Sequence, residues 1–172
     1  MITLEQLRAI MPLAGPRAAV FLPALNEAMA GYGIDTPTRQ AAFLAQVAHE
    51  SGQLRYVREL ASGEAYEGRA DLGNTQPGDG MRFKGRGLIQ ITGRANYRAC
   101  GAALGLPLED QPALLEQVGP ACESAAWFWQ SRGLNALADA GDFRLITRRI
   151  NGGINGYADR LAALERAQGV LV

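Results

Sequence analysis

Apolar positions recur at helical spacing along most of the chain, and the pattern predicts an all-α fold. Residues 3–11 read as a short helix opened by the capping pattern Thr3-x-x-Gln6 and stopped near Pro12. Pro16 can open a second helix running to about Ala30, with Pro23 expected to kink or divide it. Thr36-Pro37 starts a third, where a hydroxyl can cap and proline occupies the tolerated first position, and it ends near residue 50. From Ala61 to Gly87 seven glycines, one proline and scattered Asp, Asn and Ser remove the periodicity, which predicts a long loop with at most short strands. Further helices are expected over 94–100, closed by Gly101, over 112–118 and over 120–131, where Ala121, Ala125, Phe128 and Trp129 form a core stripe. Asp142 caps another, carrying Phe143, Ile146 and Ile150, and after a turn at 150–156 Tyr157 opens the last.

The third helix carries the candidate chemistry. Phe43, Val47 and Glu50 fall at i, i+4 and i+7, so Glu50 extends the core-facing stripe. A carboxyl against apolar surface resists ionisation, as a general acid near neutral pH requires. Were the helix to continue to Glu59, the two carboxyls would lie roughly 13 Å apart on opposite faces. Ser51-Gly52 offers a break that lets both line one cleft. Two carboxyls across a cleft suit glycoside hydrolysis, one protonating the leaving oxygen and the other activating water. Glu59, in an open loop with Arg58 and Arg55 nearby, is expected to ionise more readily than Glu50, giving a bell-shaped pH profile. The common alternative is a pair of solvated glutamates. His49-Glu50 invites a zinc-protease reading, but position 53 is Gln and the chain holds one His, so metal chemistry is not expected.

The 172 residues suit one domain, 1–172, with no separate wall-binding domain, and 48% apolar composition is that of a globular chain. Lys+Arg and Asp+Glu balance at 17 each, so no global charge points to nucleic acid or an anionic membrane. Cys100 and Cys122 stand on separate predicted helices, and pairing is possible without being indicated. The N-terminus lacks a basic region followed by an apolar core, and no run approaches membrane-spanning length, so cytoplasmic accumulation is expected.

The run Phe83-Lys84-Gly85-Arg86-Gly87-Leu88-Ile89-Gln90-Ile91-Thr92 nearly fits a phosphate loop, but Arg86 replaces Lys and no strand precedes it. Closely spaced glycines let backbone approach a ligand, and in an extended Leu-Ile-Gln-Ile-Thr segment Gln90 and Thr92 would point the same way, toward a sugar or a water. A buried strand with two satisfied polar groups is the alternative. Trp127 and Trp129 read as core rather than as sugar platforms. The basic cluster Arg82, Lys84, Arg86, Arg94 and Arg98 suggests contact with the carboxylates of peptide stems, against which stands a solvated or internal role.

Four elements stand in order: His49-Glu50-Ser51-Gly52 with Glu59, the Gly85-Arg86-Gly87 to Thr92 run, Asn96-Tyr97, and Asn151-Gly152-Gly153 with Ala158-Asp159-Arg160. Over roughly residues 36–165 this resembles glycoside hydrolase family 19, the chitinase-like family with a lysozyme-like helical fold, and in particular its short phage endolysin members. The resemblance implies Glu50 as general acid, Glu59 as general base and Thr92 as the hydroxyl that holds the attacking water. It implies substrate contact from Gln90 and Asn151, with His49, Tyr66 and Asn96 counted alongside them. Arg160 matches an Arg that supports the charge network and is grouped with the substrate-side residues. It further implies inversion, no cofactor, a monomer, and peptidoglycan as partner after release by a holin. Chitin is the alternative substrate. A lytic transglycosylase or a non-catalytic glycan-binding module is less expected. Plant members carry longer insertions, several disulfides and an acidic residue where this chain has Asn155, and the shorter cleft favours bulky, peptide-substituted glycan.

Overall fold

A computed structural model describes residues 1–171. Its helices are α1 (Leu4–Ile10), α2 (Arg17–Gly31), α3 (Pro37–Glu50), α4 (Asp79–Arg82), α5 (Arg94–Leu104), α6 (Val118–Ser131), α7 (Leu134–Asp139), α8 (Phe143–Asn151) and α9 (Tyr157–Leu171). Among the described residues, strand pairing is confined to the bridges Arg58 with Arg86 and Arg86 with Ile91.

Helix α3 is the centre. Thr36 caps it through the Arg39 N–H, Pro37 opens it, and every residue from Gln40 to Ala48 is buried. A helix buried on all sides is a core element, and α9 lies along it while α1 packs on α9 and α2 on α6. Phe43 meets Trp129 edge to face at 5.5 Å. A second, smaller core gathers Phe83, Ile91, Tyr97, Cys100, Leu108 and Leu115, with Phe128 packing against both cores. Leu88 and Ile89 belong to the first core and Ile91 to the second, so the glycine-rich run is the seam. Both cysteines are free, and burial pushes each thiol up to about 12, which leaves them unreactive apolar fillers.

Several expectations are corrected. Pro23 does not divide α2. Helix α5 runs past Gly101 to Leu104 and closes on Gly105 in a left-handed cap, because Gly101 serves packing: a side chain there would meet the Leu106 carbonyl at 2.6 Å. The segment expected to be helical over 112–118 is the single 3-10 stretch Pro112–Glu116, and α7 went unforeseen because it is short and opens from Gly133, a residue that reads as a stop. Most consequentially, Gly87–Gln90 is a turn and Gln90 is left-handed at φ 57°, so Gln90 and Thr92 do not share the face of an extended strand.

Candidate active site

Glu50 is the last residue of α3, and its surroundings follow from how that helix stops. The Ser51 hydroxyl donates to the Val47 carbonyl at 2.6 Å and accepts from the Leu54 N–H at 2.8 Å. Gly52, Gln53 and Leu54 then take left-handed φ of 56°, 61° and 67°, reversing the chain. For the two non-glycine residues this costs about 1–3 kcal/mol each, and the conformation persists only where tertiary bonds hold it. Such bonds are present: the Gln53 amide oxygen accepts from the Leu13 N–H, and the Leu54 carbonyl accepts from Arg17 Nε.

The Glu50 side chain is 18% exposed and lies 2.6 Å from Arg160 Nη2. The contact is one of charge, since no described donor is aligned on Glu50 Oε1. Arg160 is 1% exposed, and it also donates to Gln46 Oε1 and the Asn155 carbonyl. Gln46 in turn donates to the Thr147 hydroxyl at 2.9 Å, which donates to the Phe143 carbonyl. Glu50 is thus tied through a buried polar chain across α3, α8 and α9. Two expectations change: Glu50 sits against a guanidinium as well as apolar surface, and Arg160, grouped from sequence with the substrate-side residues, is buried against Glu50 and Gln46. Gln46, one helical turn before Glu50, was missed although its spacing places it on the same face.

Glu59 is held from the loop side. Its N–H donates to the Gly85 carbonyl, and its Oε2 accepts from the Gly85 N–H at 3.0 Å and the Tyr66 hydroxyl at 3.1 Å. Glu59 Oε1 is buried with no partner. Burial, and next the charge of Glu59, push the Tyr66 phenol above its ordinary value, so it remains a donor. A Cβ on Gly85 would lie 2.7 Å from both Glu59 Oε2 and Gln90 Oε1. The glycine-rich run therefore approaches Glu59 closely, where the sequence suggests approach to a ligand. Arg58 pairs with Glu116 and Arg55 donates to the Gly52 carbonyl, so neither has Glu59 as its partner.

Thr92 donates to the Gln90 carbonyl at 2.9 Å, Gln90 donates to the Gly87 carbonyl, and Asn96 donates to the Thr92 carbonyl. These three line one groove together with Ile150, which precedes Asn151. Asn151 ends α8, and its Nδ2 is buried without a partner. The His49 ring meets Asp159 at 2.6 Å and packs so closely on Gly156 that a Cβ there would lie 2.2 Å from it. The basic cluster is spent internally. Arg94 pairs with Asp79 and Glu109, Arg98 with Glu109 and the buried Arg86 with Glu116, while Arg82 donates to the Glu109 and Asp110 carbonyls and Lys84 to that of Ala61. These partners correspond to the internal role that stood as the alternative to contact with substrate carboxylates.

A family model described as chitinase class I matches residues 19–140. The chain belongs to glycoside hydrolase family 19. A family 19 domain-containing protein of Haemophilus influenzae is 33% identical over 153 residues, covering 71% of this chain and 74% of that protein. An endochitinase of Arabidopsis thaliana is 40% identical over 132 residues, 76% of this chain but 45% of its own length, so the chain spans about half of that plant relative. Chitinase C from Streptomyces griseus HUT6037 superposes with a TM-score of 0.82 at 25% identity, over 99% of this chain and 92% of that one. The all-α architecture is thus the lysozyme-like fold of family 19, and the chain is a glycosidase.

Proposed function

We propose that this family 19 glycosidase cleaves the β-1,4 bonds of bacterial peptidoglycan with inversion, at the N-acetylmuramic acid–N-acetylglucosamine linkage. Glu50 protonates the leaving glycosidic oxygen while Glu59 takes a proton from the attacking water, whose oxygen forms the new bond to the anomeric carbon. The observation that carries the two-carboxylate mechanism is the state of Glu59: one oxygen is anchored by Tyr66 and Gly85, and the other is buried and unpartnered. A buried carboxylate oxygen without a donor is costly, and in this proposal the attacking water is the donor that relieves it. Thr92 adds to this. Its only hydroxyl proton goes to the Gln90 carbonyl, leaving lone pairs to accept from a water in the groove it lines.

A lytic transglycosylase requires one acid/base and no second carboxylate held in this way. For the substrate, support comes from the short link between the carboxyls, residues 51–58, along which Tyr56 is exposed, so little covers a peptide-bearing sugar. Monomeric action on the wall after release through a holin belongs to the same proposal. Chitin hydrolysis is the second reading, favoured by the relatives named endochitinase. Mass spectrometry of digested wall tests all of this. Muropeptides with new reducing ends are expected, anhydro ends would replace hydrolysis by transglycosylation, and intact wall beside cleaved chitin oligomers would move the substrate to chitin.

A further inference from the structure

The groove lined by Gln90, Thr92 and Asn96 extends, within a volume of about 320 Å3, to two arginines, Arg132 and Arg149. They come from different helices, Arg132 capping α6 and Arg149 in the last turn of α8. Both are exposed, neither has a carboxylate partner among the described residues, and the groove lining contains no acid. The two heads are nonetheless placed. Arg149 Nη1 donates to the Arg132 carbonyl at 2.7 Å, and the Arg132 guanidinium lies 4.8 Å from the centre of the Phe128 ring, which packs into both cores. Two like charges lining one groove repel each other. A bound anion relieves that repulsion, and the planar fork of a guanidinium matches a carboxylate.

We propose that Arg132 and Arg149 form an anion subsite at the end of the groove lined by Gln90, Thr92 and Asn96, which takes a carboxylate carried by the glycan. It rests on the peptidoglycan reading for its natural ligand, a free carboxylate of the peptide stem. A neutral chitin chain has no group to answer this pair, so the subsite sets preference between the two glycans. The role expected of Arg82, Arg94 and Arg98 falls instead to arginines that no acid has claimed. Arg149 also lies at the C-terminal end of α8, where a cation is favoured by the helix dipole alone. A purely structural origin of that kind predicts no dependence on substrate charge.

The test uses two backbones, each in an anionic and a neutral form: peptidoglycan with free or chemically amidated stem carboxyls, and chitin oligomers with or without carboxymethyl groups. The quantity read is the ratio of kcat/KM on the anionic to the neutral form, at low salt. In the wild type this ratio should exceed unity by about tenfold, the scale of one charge-assisted hydrogen bond. It should collapse toward one in the Arg132→Gln, Arg149→Gln double variant, and partly survive in Arg149→Lys, which keeps the charge. Circular dichroism identifies any variant that fails to fold, and the single Arg132→Gln variant, which leaves the Arg149 hydrogen bond to the backbone in place, should still lower the ratio. A wild-type ratio near one, or an unchanged ratio in the folded variants, overturns the subsite even if peptidoglycan is cleaved. Preference for carboxymethylated chitin that the variants lose, with peptidoglycan left uncut, keeps the subsite and overturns the peptidoglycan reading.

Discussion

The two carboxyls are held by opposite means. Glu50 is anchored by a charge, Arg160, itself locked in a polar chain, whereas Glu59 is anchored by neutral donors, a phenol and a backbone N–H. Replacing either by Gln should leave a folded protein with reducing-end release lowered by about a hundredfold or more, the range of general acid–base catalysis. Retention of wild-type rate by either variant would remove that residue from the mechanism. The donor to Glu59 also sets a pH expectation. Because the Tyr66 phenol lies above its ordinary value of 10.0, it stays protonated, and keeps donating, through the alkaline range where a glycosidase loses activity. Tyr66→Phe should therefore lower the rate while leaving the alkaline limb where it was. A limb that moved with this substitution would make Tyr66 the titrating group. The helix end that carries Glu50 and the break between it and Glu59 were legible from the sequence, since a helical stripe ending in Glu and a Ser-Gly pair are local signals. Gly85 as a donor to the base was not, because which neighbour a glycine admits depends on contacts across the chain.

At the scale of elements, α3 and the glycine-rich run do different work. Helix α3 was read to its observed ends because capping, the proline start and the Ser-Gly stop are all written in adjacent residues. The segment Leu88-Ile89-Gln90-Ile91-Thr92 reads as extended because its β-branched and apolar residues carry strand propensity, while the seam between two cores imposes a turn over Gly87–Gln90. Two predictions follow from these packings. Gly85→Ala needs no unusual φ, yet its methyl would press on Glu59 Oε2 and Gln90 Oε1, so kcat should fall about ten- to a hundredfold by displacement of the base, with a small change in thermal midpoint. Arg160→Met should do the reverse in emphasis. It removes a buried cation and strands Gln46 Oε1 and Glu50, and loss of about 3 kcal/mol or more of stability is expected from breaking a buried pair, measured by denaturant unfolding. A loss below about 1 kcal/mol would show that the polar chain tolerates the gap.

For the molecule as a whole, the arginines that seemed from sequence to belong to the substrate turn out to tie the loop region to α5. Asp79, 1% exposed, accepts from the Arg94 guanidinium at 2.5 and 2.9 Å and from the Gln76 N–H, while Glu109 joins Arg94 and Arg98. Hydrogen bonding from Arg94 above all, opposed by burial, holds the Asp79 carboxyl below its ordinary value of 3.8, and Arg98 does the same for Glu109. The sign is that of a depressed acid: its contribution to stability is complete above the unfolded value and is lost as pH falls through the lower folded one. The wild type should therefore lose little stability on this account between pH 7 and about 5, and lose it steeply below about 4. Asp79→Asn keeps the size of the side chain and removes the titration. It should be less stable than wild type near neutrality, with the difference between the two shrinking as pH falls toward 3. Thermal unfolding followed at pH 6 and pH 3 reads this directly. A constant gap across the two values would mean that the Asp79–Arg94 pair is not what fastens the loop region to the second core.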